Sequence, residues 1–283
     1  MSILSEARSL LALLRRHAAN IENLRNLAVE DYISRQLQEN ARYQNPRRLN
    51  RYEYQVYSQN GEDGIIAEIF NRIGIEKRFF VEFGVGDGLE NNTAYLLLKG
   101  YAGCWIESNS EQVKRIDQKF SLLIKNKRLK VMNARVSQEN IESLFKEASI
   151  PQEFDLLSID IDGNDYWVWK AIDAYHPRVV VIEYNAMYPP DIACVAKYNP
   201  EFQWDQTSYY GASLKSLETL GTDKGYRLVG CDFRGVNAFF VRQDLVKDRF
   251  LEPFTAETHY EPIRYFLAMK KGYPRNFGDF DLA

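Results

Sequence analysis

The sequence predicts an α/β protein: a Rossmann-like seven-stranded sheet, five α/β units then an antiparallel β-hairpin, with an N-terminal helical extension. Three observations carry this. From residue 79 onward, short apolar runs alternate with helical stretches, the pattern of a parallel sheet with crossover helices. The last two apolar runs are separated only by residues 232–235, and a parallel crossover needs about a dozen. Residues 3–42 contain no Gly or Pro and are rich in Leu, Ala, Arg and Glu.

The elements follow in order. Residues 3–42 read as one long helix or two, with Leu4, Leu11, Leu14, Ala18, Ile21 and Ala28 near heptad spacing and Arg25 interrupting. Such a helix packs on its own domain or pairs two copies into a homodimer; both readings fit. Asn45-Pro46 breaks the pattern and divides an extension, 1–45, from a main domain, 46–283. Helix 61–73 precedes the first strand. The strands are expected at 79–83, 102–107, 129–132, 154–160, 178–184, 226–231 and 236–241. Helices at 93–99, 111–125, 137–147, 166–174 and 212–224 separate the first six. A dinucleotide-binding Rossmann domain would stay parallel to its end.

Composition narrows the function. The 283 residues carry 36 Lys+Arg against 39 Asp+Glu, a net charge of -3, with 45% apolar and 27% charged content. That is too apolar for intrinsic disorder and lacks the basic surplus of a nucleic-acid binder. No run approaches the ~18 apolar residues of a membrane span. The opening stretch does not read as a secretory signal. Glu6 stands beside Arg8, and the apolar run 10–14 is cut by Arg15 and Arg16. Three cysteines (Cys104, Cys194, Cys231) without metal-type spacing read as reduced thiols, so a cytoplasmic location is expected.

The first strand leads into Val81-Glu82-Phe83-Gly84-Val85-Gly86-Asp87-Gly88. Alternate glycines let backbone turn tightly and approach a ligand. Leu89 takes the place of the third glycine in G-x-G-x-x-G, and Glu82 precedes the loop, so a pyrophosphate is disfavoured and a cationic ligand favoured. Glu107 ends the second strand 21 residues after Gly86, placed to accept both ribose hydroxyls of an adenosine, with Ser108 beside it. Asn133 and Ala134 end the third strand, at the adenine edge. Asn91, Asn92 and Thr93 open the next helix, where side chains and free amides can hold a carboxylate. Together these describe a site for an adenosine with an amino-acid tail, S-adenosylmethionine (SAM).

The stretches VEFGVGDGLENNT, FDLLSIDIDGNDYWVWKAI and YSQNGEDGIIAEIF resemble those of a class I SAM-dependent methyltransferase of the FkbM-like family, over residues 55–242. The sheet of five α/β units and a hairpin agrees with that class. FkbM-like members more often show D-x-E-G where this chain has Asp160-Ile161-Asp162-Gly163. The resemblance implies that Glu82, Gly84, Gly86, Asn92, Glu107 and Asn133 contact SAM and that residues 57–63, with Gln59 and Asn60, fold over it. A capped helix start explains that segment equally well.

In an open α/β sheet, ligands lie beyond the carboxyl ends of the strands. Asp160 and Asp162, ending the fourth strand, and Glu183, Tyr184 and Asn185, ending the fifth, fall on that edge. They suit two routes: Asp160, Asp162 or Glu183 acts as general base, or Asp160 or Asp162 with Glu183 and Asn185 holds Mg²⁺, which acidifies an acceptor hydroxyl. Asp165 reads as a helix N-terminal charge. His17 belongs to the N-terminal helix, His176 lies at the opposite edge, and His259 is expected at the surface. The long connection 185–211 carries Tyr188, Tyr198, Phe202, Trp204, Tyr209 and Tyr210. It reads as an acceptor-binding wall, with Asn185, Tyr188, Trp204, Tyr209 and Tyr210 as acceptor contacts, or as a loop with its own small core. The expected activity is methyl transfer to a hydroxyl of a small molecule, a sugar or glycoconjugate or natural-product precursor. N-methylation, protein methylation and non-catalytic SAM binding are the alternatives.

Overall fold

The computed structural model describes residues 3–267 and 275–278. Met1 and Ser2 lie outside the described residues, as does the side chain of Leu4, the first member of the predicted heptad. Helix α1 spans Ile3–Ile33, and α2, Glu62–Ile73, leads into β1, Phe79–Phe83. Then follow α3 (Ala94–Leu98), β2 (Ala102–Glu107), α4 (Ser110–Lys119), α5 (Ser121–Lys125), β3 (Leu129–Asn133) and α6 (Ile141–Ala148). The chain continues with β4 (Leu156–Ile159), α7 (Asp165–Ala171), β5 (Val179–Glu183), α8 (Leu214–Asp223), β6 (Tyr226–Cys231) and β7 (Asn237–Arg242).

The seven strands form one sheet in the order β3-β2-β1-β4-β5-β7-β6. The pairs among β1 to β5 are parallel, whereas β7 runs antiparallel to both β5 and β6. This is the Rossmann-like sheet with a terminal hairpin that the sequence predicts. Alternation builds a core on each face. Val81, Cys104, Ile106, Leu157, Val180 and Phe240 meet Phe145, Val168, Trp169 and Leu217 on one side. Phe80, Trp105, Leu156, Val181 and Phe239 meet Ile65, Ile69, Leu97 and Phe120 on the other. Strand order reverses between β1 and β4, so a crevice opens at their carboxyl ends.

Several boundaries differ from expectation. The N-terminal helix stops at Ile33, giving way to a single π-turn, Ser34–Gln38, and a 3-10 turn, Ala41–Tyr43, capped by Asn40. Packing on its own domain holds only for the root of this helix, where Val29, Leu37 and Tyr43 meet Phe233 and Leu267. Residues 6–25 are exposed. The predicted helix 111–125 breaks at Phe120, whose ring packs edge-on against Trp105 at 4.8 Å. The helix predicted from 137 starts at Ile141, because Asn140 accepts the Ser137 amide and shapes a turn first. Among the described residues no helix is long and apolar enough to cross a membrane. All three cysteines are unpaired.

His259 corrects its surface assignment. It is 1% exposed in a short helical turn, Ala256–His259, and its Nε2 donates to the Leu251 carbonyl at 3.2 Å. Burial, with Arg48 nearby, lowers its pKa from 6.5 to about 3. A depressed folded-state pKa means that stability from the neutral ring is complete above about pH 6.5 and drains away as pH falls toward 3. Chemical denaturation of His259→Phe should therefore show about 2 kcal/mol less loss than wild type between pH 7 and pH 5. Equal losses in the two proteins would remove His259 as a source of acid sensitivity.

Candidate functional site

The site begins with the loop after β1. Gly84 has φ +73°, and a Cβ there would lie 1.7 Å from the Asp160 carbonyl oxygen. Only glycine lets this loop lie against the end of β4. Gly86, with φ +56°, has nothing within 4 Å of where its Cβ would be. Its amide donates to Glu107 Oε2 at 2.9 Å, while Glu107 Oε1 accepts the Asn109 amide at 2.8 Å. Both carboxylate oxygens are thus aimed by backbone; Oε1 also accepts from Ser108 Oγ at a long 3.5 Å, a contact a ligand hydroxyl can replace, and Oε2 keeps a further lone pair.

These groups line a cleft of about 690 Å³ at the carboxyl ends of the strands. Of the predicted cofactor residues, Gln59, Gly84, Gly86, Glu107, Ser108 and Ala134 line it, together with Asp160, which is expected both at the cofactor and in the chemistry. Its volume falls in the range of ligand sites.

Other residues predicted to face the ligand do not line the cleft. Glu82 is buried beneath the loop, accepting from Asn92 N (2.9 Å), Ser158 Oγ (3.0 Å) and Thr93 Oγ1. Burial pushes its pKa up to about 7 against the pull of those donors. Asn92 Nδ2 donates to Ser158 Oγ, and Trp105 Nε1 to Thr93 Oγ1. Asn91 Oδ1 caps the Ala94 amide at 2.8 Å at the start of α3. Asn133 Nδ2 donates to the Glu107 and Ser108 carbonyls and staples β3 to the end of β2.

Residues 57–63 form a side-chain-braced turn leading into α2, whose N-cap, Gly61, makes no side-chain capping bond. Asp63 Oδ2 accepts from the amides of Val56, Tyr57 and Ser58 and from Ser58 Oγ, and Ser58 Oγ accepts from Asp63 N. The same turn carries Gln59 to the cleft. Asn60 turns away, donating to Glu62 Oε1 and accepting from Arg234. Sequence reasoning missed two arginines that pin this segment. Arg234 donates to the Gln59 carbonyl, and Arg275 to the Tyr57 and Ser58 carbonyls. Neither lies in a motif, and both act over more than 170 residues of sequence.

Asp160, Asp162 and Glu183 come together, each offering a carboxylate oxygen within 4.8 Å of the other two. Among the described residues, no side-chain donor or cation pairs with them. Burial first, then the neighbouring acids Asp165 and Asp162, hold Asp160 well above the usual carboxylate range. Burial and the same acids, Asp160 foremost, do likewise for Glu183. Asp162 is raised by burial and by Glu107. Asp165 is different: it accepts the amides of Ile161 (2.9 Å) and Gly163 (2.8 Å) and so shapes the turn that presents Asp162 at φ +60°.

Asn185 is not part of this cluster. It is fully buried; its Nδ2 donates to the Ser208 and Tyr210 carbonyls, and its Oδ1 accepts the Met187 amide. Its amide is consumed in closing the loop 185–211, which corrects its assignment as a metal or acceptor ligand. Within that loop, Phe202, Gln203 and Trp204 line the cleft; Tyr188 and Tyr209 do not. The Phe202 ring covers Gly163, where a Cβ would meet it at 2.3 Å. Tyr210 backs Trp204 edge-on at 6.0 Å and shares a hydroxyl contact with Tyr265. Trp167 Nε1 holds the Ala196 carbonyl, Asn164 the Asn199 carbonyl, and Arg135 the Phe202 carbonyl. The loop is therefore both packed and cleft-forming. His176 lies at the opposite sheet edge, as expected.

No protein-family model and no curated protein sequence matches the chain. Among solved structures, the chain is similar to the N-terminal domain of EvdMO1 with SAH bound, at 12% identity over 64% of this chain and 79% of that one, TM-score 0.41. It is also similar to the CcbJ methyltransferase from Streptomyces caelestis, at 12% identity over 62% of this chain and 88% of that one, TM-score 0.40. A third is an S-adenosylmethionine-dependent methyltransferase from Clostridium acetobutylicum ATCC 824, at 12% identity over 75% and 96%, TM-score 0.39.

Proposed function

We propose that this chain is a SAM-dependent methyltransferase of the FkbM-like kind, acting on a hydroxyl of a small molecule such as a sugar or glycoconjugate precursor. One observation carries the reading. A single cleft brings together an open glycine backbone, a ribose-competent carboxylate at Glu107 and an acid cluster with no protein counter-charge. The ribose hydroxyls donate to the remaining lone pairs of Glu107, and the methionine end runs toward Gly84 and Asp160. The cationic sulfonium is attracted by the same acids. The acceptor lies against Phe202 and Trp204.

Bound there, SAM would supply an electrophilic methyl group for displacement by the acceptor oxygen, the carbon–sulfur electron pair leaving with sulfur as the carbon–oxygen bond forms. Glu183, made more basic by burial and by the neighbouring Asp160, is the carboxylate that removes the hydroxyl proton. A second reading rests on the clustered oxygens. Asp160, Asp162 and Glu183 are hard donors suited to a divalent cation, which would lower the pKa of a bound hydroxyl. The test is transfer of labelled methyl from SAM to a panel of saccharides and polyols. Label in a base-stable ether on a hydroxyl acceptor supports the reading. Label appearing only on amines or on protein overturns O-methylation.

A further inference from the structure

We infer that Gln112 reads the base of the bound nucleoside and selects adenine over a 6-oxopurine, an inference that rests on the cofactor reading above. The strand order gives the cleft two ends: the residues after β2 and β3 form one, those after β4 and β5 the other. A ribose held by Glu107 sends its base into the first end, among Ser108, Asn109, Gln112, Ala134 and Arg135. Most polar groups there are already in use. Asn109 Oδ1 accepts the Glu111 and Gln112 amides at 2.9 and 3.4 Å. Arg135 donates to the Phe202 carbonyl at 2.7 Å and pairs with Glu201 at 3.5 Å. The Ala134 amide donates to the Glu107 carbonyl at 3.1 Å. Gln112 is the exception: its Oε1 is sealed from solvent and accepts from nothing, and its Nε2 donates to nothing among the described residues.

The local sequence explains why this amide is left over. Gln112 is the third residue of α4, whose N-cap is Asn109. A glutamine at that place ordinarily reaches back to accept the cap residue's own amide. Here the Asn109 amide donates to Glu107 Oε1 at 2.8 Å, so Gln112 is released from the cap. A sealed, unpaired acceptor is costly, and turning the carboxamide into the cleft breaks no hydrogen bond. A carboxamide presents an acceptor beside a donor. Its complement is a donor beside an acceptor, as in the N6 amine and N7 of adenine, which glutamine pairs with bidentately. A 6-oxopurine carries acceptors at both places and sets its O6 against Oε1.

Calorimetric titration of the intact chain with S-adenosylhomocysteine, and with S-inosylhomocysteine as its 6-oxo counterpart, tests this. Wild type should bind the adenine compound about 10–100-fold more tightly. Gln112→Leu should lose most of that factor on the adenine compound and leave the 6-oxo compound nearly unchanged, so that the two affinities converge. Gln112→Glu keeps an oxygen but loses the N–H donor, and its preference should fall between the two. A wild type that binds both compounds equally, or a Gln112→Leu chain that keeps the preference, overturns the inference and leaves the cofactor reading standing. Equal weakening of both compounds in Gln112→Leu also overturns it, because a merely structural role has no preference for the base. A wild type that binds neither compound overturns the methyltransferase reading and this inference with it.

Discussion

Replacing Glu107 by alanine is expected to weaken SAM binding by about 10²–10⁴-fold, because two hydrogen bonds to a charged acceptor, each of about 1.5–3 kcal/mol, are lost at once. The fold should persist. Glu107 lies at the rim of the sheet, and its loss frees two backbone amides, Gly86 and Asn109, at the mouth of a cleft that water can enter. Glu107→Gln separates the two contributions. Its amide oxygen can still accept one backbone amide and hold the loop, but it cannot accept from both ribose hydroxyls. It should bind SAM about tenfold more weakly than wild type, between wild type and Glu107→Ala. Calorimetric titration of the three proteins checks this order. Affinities that do not change would remove Glu107 from the cofactor site.

Glu183→Gln should leave SAM affinity within a few-fold of wild type and lower turnover by about 10²–10⁴, the usual effect of losing a general base. The isosteric amide keeps the packing but cannot take a proton. Adding EDTA distinguishes the routes. Activity that disappears with chelator and returns with Mg²⁺ shows that Asp160, Asp162 and Glu183 act by holding a cation. Activity indifferent to chelator leaves Glu183 as base. Full turnover in Glu183→Gln under either condition would move the chemistry elsewhere in the cleft.

The sheet was legible because its signals are local. β-branched and aromatic runs fall within a residue or two of every strand, and the 232–235 gap alone forces the hairpin. The glycine loop was legible because backbone conformation needs glycine at Gly84 whatever surrounds it. What was not legible is which polar side chains a distant partner consumes. Glu82 and Glu107 look alike in the sequence, each a carboxylate at a strand end. The first is covered by Asn92, Thr93 and Ser158, while the second remains at the cleft. Asn185 sits beside the acid cluster in sequence, but its amide closes a loop onto Ser208 and Tyr210. His259 is buried through contacts that no motif announces. Polar roles are decided by tertiary neighbours, and a single sequence does not display them.

The central claim is that this cleft binds SAM. The direct measurement is calorimetric titration of the intact chain with SAM, and with NAD as a control. Saturable binding of about one SAM per chain with a Kd in the micromolar range is expected, with no heat from NAD. Absence of SAM binding at millimolar ligand, or tighter binding of NAD, would contradict it.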